Sequence, residues 1–322
     1  MKKKIILILL LLFPFKTFAY SDKIIVSGET IGIEAHSNGV YIVGFYNVNN
    51  KNIAKEAGFQ IGDIIKSVNN KEIENIDDLN DIISEENEYN FEIIRNNINK
   101  IITIRLTEEN NIIKTGLFVK DRVNGIGTLS YIDPKTKIYG SLGHEILEST
   151  SFTKFNLKNG KIYKASVTTI KKSENGQAGE KNAKIDKSEQ YGHINKNEID
   201  GIYGIYEKDI NEQELMEVGK KEEIKKGKAL IKTVINENEI EDFTINIISI
   251  DENDYTKNIF FEITDKKLLE KAGGIVQGMS GSPIIQNNKI IGVVNYVIVN
   301  EASKGYGIFI TTMLEEGDKI LS

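Results

Sequence analysis

Gly274-Ile-Val-Gln-Gly-Met-Ser-Gly-Ser-Pro-Ile-Ile-Gln286 sets a tight polar turn between two apolar runs. The backbone passes through Gly278, Ser280, Gly281, Ser282 and Pro283, in a chain with only three prolines and no cysteine. Two readings compete: a plain β-turn, or a serine held up as a nucleophile. A glycine two residues before a serine lets a loop fold so that backbone N–H groups point at a developing oxyanion. The Gly278 and Ser280 amides are the candidate donors.

A serine needs a base to take its proton, usually a histidine oriented by a carboxylate. The three histidines, His36, His144 and His193, all precede Ser280. That excludes the Ser, acid, His order of α/β-hydrolases, and Ser282 stands where their G-x-S-x-G elbow requires glycine. The order His, Asp, Ser of chymotrypsin-like enzymes survives. The surrounding texture agrees with it. From Thr107 onward short β-prone runs alternate with Gly, Asn, Asp and Lys turns, at 127–132, 161–170, 229–234, 243–250, 259–263, 274–276, 290–299 and 307–311. Many short strands between turns predict a sandwich or barrel. Only 212–226 and 266–271 read as helical patches.

His144 ends Tyr139-Gly-Ser-Leu-Gly-His144, behind two glycines at the close of a strand. His36 and His193 read as structural or exposed. Ser282 is the rival nucleophile, but Gly281 directly precedes it and no glycine leads into it from a strand, so Ser280 is favoured.

Composition bounds the rest. With 322 residues, 40% hydrophobic and 27% charged, the chain is long enough for two domains with separate cores. A net charge of −6 argues against a general polyanion binder, so no nucleic-acid partner is expected. Zero cysteines exclude a disulfide scaffold, thiolate zinc sites and cysteine catalysis. Three histidines make a histidine-rich metal centre a poor reading, and no cofactor or metal is expected. At the N-terminus, Met1-Lys-Lys-Lys4 precedes an apolar run at 5–15 and then Thr17-Phe-Ala19. This is the pattern of a secretory signal, and a helix over that run spans about 16 Å, short of a bilayer core. Residues 1–20 are therefore expected to be a signal peptide or a marginal anchor.

Between these parts lies a compact unit, 36–108. A strand at 40–45, a helical patch at 52–57, a turn and strand at 58–69, an amphipathic helix carrying Ile76, Leu79, Ile82 and Ile83, and two strands at 90–95 and 100–106 follow in order. Ala57-Gly-Phe-Gln-Ile-Gly-Asp-Ile-Ile-Lys-Ser-Val-Asn-Asn-Lys-Glu-Ile73 resembles the signature of PDZ domains of the bacterial protease-associated kind. Such domains take an extended peptide as an added strand and catch its carboxylate on loop amides. The expected peptide-binding residues are Asn38, Gly39, Val40, Tyr41 and Ile42.

Gly127-Thr-Leu-Ser-Tyr-Ile-Asp-Pro-Lys-Thr-Lys-Ile-Tyr-Gly-Ser-Leu-Gly-His-Glu-Ile146, together with 273–286, resembles the stage IV sporulation protein B peptidases of endospore formers. Nearly the whole chain follows their order of signal or anchor, PDZ domain and serine-peptidase domain, here 109–322. The resemblance implies a mainly β protein: a small α/β PDZ domain followed by an all-β, chymotrypsin-like double barrel. It implies His144 as base, Ser280 as nucleophile and Asp265 as acid, against the alternative that Asp265 caps the helical patch after it. Asp251 and Asp254 are next in line for the acid. Glu145 and Glu148 stand where family members carry smaller residues. The resemblance further implies export, membrane association in the forespore intermembrane space, self-cleavage, and cutting of a membrane-bound sporulation regulator that signals late sigma-factor activation. A PDZ scaffold with an inactive peptidase domain is the alternative, and a secreted adhesin is a third.

Overall fold

The computed structural model describes residues 20–84, 87–174, 176–210 and 215–321. The expected signal segment, up to residue 19, lies outside them. In chain order the elements are β1 (Lys23–Val26), β2 (Thr30–Phe45), α1 (Ile53–Ala57), β3 (Ile64–Val68), β4 (Lys71–Glu72), α2 (Ile76–Ile82), β5 (Glu88–Arg95), β6 (Ile98–Arg105), β7 (Thr107–Glu109), β8 (Ile112–Lys114) and β9 (Leu117–Ile132). Then come β10 (Ile138–Ser141), β11 (Leu157–Lys171), β12 (Gly179–Glu198), β13 (Gly201–Tyr206), β14 (Leu215–Val218), β15 (Gly227–Val234), β16 (Ile240–Ile250) and β17 (Ile259–Ile263). The last are α3 (Lys266–Ala272), β18 (Val276–Gln277), β19 (Pro283–Gln286), β20 (Lys289–Val297), β21 (Lys304–Phe309) and α4 (Ile310–Asp318).

The strand pairings close two antiparallel rings. In the first, β9, β2, β11, β12, β13 and β10 pair in sequence and β10 returns to β9. In the second, β15, β16, β17, β21, β20 and β19 pair in sequence and β19 returns to β15. Closure leaves these strands no free edge. Each ring has its own core, around Ile33, Ile162 and Ile202 in the first and Phe243, Phe261 and Ile284 in the second. This is the chymotrypsin-like double barrel. β14 ties the rings together, antiparallel to β1 and parallel to β20, while β18 runs parallel to the start of β12.

The PDZ unit is inserted between two strands of the first barrel. β2 pairs with β9 and β11 over Thr30–His36, then continues into the PDZ sheet. β1 and the first half of β2 are thus also peptidase strands, N-terminal to the PDZ unit. At the crossing, Ser37 Oγ donates to the carbonyls of Gly39 (2.5 Å) and Asp121 (3.0 Å). Gly39 has φ +101°, and a Cβ there would meet the Ile65 carbonyl oxygen at 2.6 Å. Glycine is required there by the neighbouring strand. Inside the unit, Val40, Ile42, Phe59, Ile65 and Phe91 are fully or almost fully buried. Asp63 of the PDZ signature is buried and takes a two-pronged grip from Arg95, with Nε at 2.6 Å and Nη2 at 2.7 Å.

Hairpin closure follows the sequence closely. Asn69-Asn70, Asn96-Asn97, Asn110-Asn111 and Asn287-Asn288 all have positive φ at both positions, the backbone of a two-residue type I′ turn. Two expectations change. The patch at 212–226 holds β14 and one 3₁₀ turn at Lys221–Glu223, and the run expected to be a strand through 311 becomes α4 from Ile310.

Candidate active site

His144 follows β10, a strand of the first barrel. Leu142 (φ +70°) and Gly143 (φ +71°) turn the chain there. A Cβ on Gly143 would meet Val293 Cγ2 at 2.9 Å and Asn295 Cβ at 3.1 Å, so glycine lets this turn lie against β20 of the second barrel. The imidazole, partly exposed, stacks on Tyr296 with ring centroids 6.0 Å apart. Its Nδ1 lies 2.8 Å from the Glu145 carbonyl oxygen. A carbonyl only accepts, so Nδ1 carries the proton and Nε2 keeps its lone pair, the tautomer a general base requires. Burial holds the His144 pKa below its ordinary value, opposed by that hydrogen bond and the nearby Glu145 charge. The ring is therefore mainly neutral at pH 7, ready to accept a proton.

Ser280 belongs to the turn between β18 and β19. Gly278 (φ +92°) and Gly281 (φ +91°) bracket it, and a Cβ on Gly281 would meet the Thr128 carbonyl oxygen at 2.2 Å and Leu142 N at 2.5 Å. β9 clamps the turn along its length. Thr128 N donates to the Ser280 carbonyl at 3.0 Å, Thr128 Oγ1 to the Gly278 carbonyl at 2.8 Å, and Ser130 Oγ to the Gly281 carbonyl at 2.7 Å. The Ser280 amide has no acceptor among the described residues. Its hydroxyl, half-buried, makes one long contact to the Asn295 carbonyl, 3.4 Å.

His144 and Ser280 therefore arrive from opposite barrels at adjacent residues of β20, Ser280 at Asn295 and His144 at Tyr296. They share no hydrogen bond, and such bonds are often long before substrate binds. Three buried polar atoms on these segments lack a partner: Ser141 Oγ, Glu145 Oε2 and Asn295 Oδ1. Unsatisfied groups of this kind concentrate where a protein does chemistry. Ser282, the rival nucleophile, is fully buried, its hydroxyl donating to Thr233 Oγ1 at 2.9 Å.

Asp265 sits differently from the role that the resemblance implied. It is the N-cap of α3, its Oδ1 accepting from Leu268 N at 3.1 Å and its Oδ2 from Thr244 N at 3.4 Å. It shares no hydrogen bond or ion pair with His144. Asp251 and Asp254 each hold backbone amides of their own loop, at Asn253 and at Thr256 and Lys257. Of the carboxylates, Glu145 is the one whose charge opposes the larger effect of burial on the His144 pKa, and the ring's hydrogen bond goes to its backbone carbonyl, not its side chain.

The PDZ residues expected to bind peptide also need correction. Val40 and Tyr41 pair with β3 on one side, and Tyr41 and Ile42 with β9 on the other, so this stretch has no free edge for an added strand. Asn38 is engaged by Lys66 Nζ. Among the described residues the PDZ sheet has two unpaired edges, β6 and β9 at Leu117–Lys120; the β9 edge lies beside α2, where Ile76 N donates to Asp121 Oδ2 at 3.1 Å. The strand after Gly116 was the signal to look for, since a strand beside an amphipathic helix is the groove such domains use.

The description SpoIVB peptidase S55 matches residues 111–314. The chain belongs to this peptidase family. A PDZ-domain description matches residues 45–94. No curated protein matches the sequence. Among solved structures, the chain is similar to the Rv3671c protease from M. tuberculosis. For the active form, identity is 12% over 59% of this chain and 71% of that one, with a TM-score of 0.30. For the inactive form it is 13% over 61% and 85%, again with a TM-score of 0.30. These values are too low to bear on the chemistry.

Proposed function

We propose that this member of the S55 family is an exported serine endopeptidase of endospore formation, with Ser280 as nucleophile and His144 as base. The observation that carries the reading is the delivery of His144 and Ser280, from two different barrels, onto Asn295-Tyr296. Ser280 Oγ attacks the peptide carbonyl while its proton passes to His144 Nε2. The tetrahedral oxyanion is received by the Ser280 amide, with the Gly278 amide as second donor. Collapse expels the amine, which takes the proton from His144, and water then hydrolyses the acyl ester by the same route in reverse. The Glu145 carbonyl keeps the imidazole tautomer in place through both halves. No residue of this route requires a metal or cofactor.

The PDZ unit supports a protein substrate, held as an extended strand along Leu117–Lys120 against α2. The family's name supports a role in sporulation, and the apolar segment at 5–15 supports export with membrane association. Cleavage of a membrane-bound regulator, and of the chain itself, is the finer form of this proposal. No helix among the described residues is long and apolar enough to cross a membrane. One observation favours the alternative of an inactive peptidase on a PDZ scaffold: Asp265 does not reach His144. Incubating the purified chain with an unfolded reporter protein decides between them. Cleavage that disappears in Ser280→Ala supports the peptidase, and no cleavage by the unaltered chain supports the scaffold.

A further inference from the structure

Directly behind the serine turn lies a lysine that the mechanism above does not use. Lys181 is 4% exposed, a rare state for this residue type. The parallel pairing of β12 with β18 sets Gly179 beside Val276 and Glu180 beside Gln277, which brings Lys181 next to Gly278. The contact is close: a Cβ on Gly278 would meet Lys181 Cβ at 3.2 Å and Cδ at 3.3 Å. The amine makes a single hydrogen bond, 2.9 Å to Thr233 Oγ1. No carboxylate among the described residues pairs with it. Burial alone pushes its pKa down to about 7.

Thr233 Oγ1 is also the acceptor for Ser282 Oγ at 2.9 Å, and Ser282 Oγ stands 3.5 Å from Thr128 Oγ1. Thr128 in turn holds the Gly278 and Ser280 carbonyls. A chain of hydroxyls therefore runs from the buried amine to both ends of the turn that presents the nucleophile. Lys181 faces Ile170 across β11, Thr233 on β15 and Gly278, against which Ile126 of β9 also packs. None of them titrates. Glu180 and Asn182, its neighbours in β12, are exposed.

We propose that Lys181 is a positioning residue for the peptidase reaction, its amine setting the Gly278–Ser282 turn through Thr233, Ser282 and Thr128 and placing a positive charge behind the oxyanion site. A cation that far inside a protein, with no counter-ion to cancel it, acts on nearby developing charge far more strongly than one in water. Its stem also holds Gly278, so the turn and the charge depend on the same side chain. The proposal rests on Ser280 being the nucleophile.

The test is the rate at which a small fluorophosphonate phosphonylates Ser280, with loss of fluoride, between pH 5 and 9, for the unaltered chain, Lys181→Met and Thr233→Val. The rate rises as His144 loses its proton, with a midpoint below its ordinary 6.5. It then falls as Lys181 loses its proton near pH 7, giving a bell. Lys181→Met keeps the volume of the stem and removes the charge. That variant is expected to react at least about tenfold more slowly at the optimum and to lose the descending limb. Thr233→Val removes the acceptor of the charged amine, so its descending limb moves to lower pH. A Lys181→Met profile with the unaltered rate and shape, or a slower rate with the descending limb intact, overturns the proposal. So does a Thr233→Val limb that stays in place. An unaltered chain that fails to react at all removes the serine-peptidase reading itself, and this proposal with it.

Discussion

The side chain of Asp265 is committed to two backbone amides, Leu268 N at the start of α3 and Thr244 N on β16, and that commitment has a measurable worth. An N-cap carboxylate contributes about 1 kcal/mol to its helix, and asparagine caps as well as aspartate. Asp265→Ala is therefore expected to lower stability by about 1 kcal/mol in chemical denaturation while Asp265→Asn keeps it. Equal stability of Asp265→Ala and the unaltered chain would contradict the cap. The asparagine variant also separates the two roles. A rate loss with stability retained would give the carboxylate the role that the resemblance implies. The turns that carry His144 and Ser280 were legible because each has its own local glycine pattern, and the backbone angles at Gly143, Gly278 and Gly281 show why glycine stands there. Asp265 was not. Fifteen positions along the chain say nothing about which way a side chain faces, and a helix follows at once. Lys181 was invisible for a related reason: in sequence it sits among charged, exposed neighbours, and only the pairing of β12 with β18 turns it inward.

At the scale of elements, the strand runs and the amphipathic helix of the PDZ unit were the most readable part. Asn-Asn pairs between alternating runs name their own turn type, and the PDZ signature marked the buried Asp63. Its partner Arg95, 32 residues on, could not be read from spacing. Arg95→Met leaves Asp63, fully buried, without its cation, and a buried pair broken from one side costs about 3 kcal/mol. An unfolding free energy lower by that amount is expected in chemical denaturation, and an unchanged one would show the pair to be dispensable. The edge of the PDZ sheet was misread because Val40–Ile42 meets β9, whose PDZ portion begins some 75 residues later in the chain. The helix α4 was missed because its apolar start, Phe309-Ile310, continues the pattern of β21.

In the whole molecule one strand does two jobs. β9 offers its open edge at Leu117–Lys120 in the PDZ unit and grips the serine turn with Thr128 and Ser130 in the barrel. A peptide added to that edge lies on the same strand that shapes the catalytic turn. The two ends of the insertion lie side by side, because Ser37 Oγ donates to the Asp121 carbonyl across the β2–β9 pair, while Tyr41 within it stacks on Phe155 of the first barrel's core. Replacing 38–120 with a two-residue turn is expected to leave Ser280 reactive to a small acylating reagent while cleavage of a protein substrate falls by at least about tenfold, the effective concentration of the tethered groove being lost. Unchanged protein cleavage would show that the groove does not recognise the substrate. The central claim, a double-barrel serine peptidase acting through Ser280, is tested most directly by mapping the fluorophosphonate adduct by mass spectrometry. The adduct is expected on Ser280, absent from Ser280→Ala and strongly reduced in His144→Ala. An adduct on Ser282, or equal labelling of the His144→Ala chain, would contradict the account.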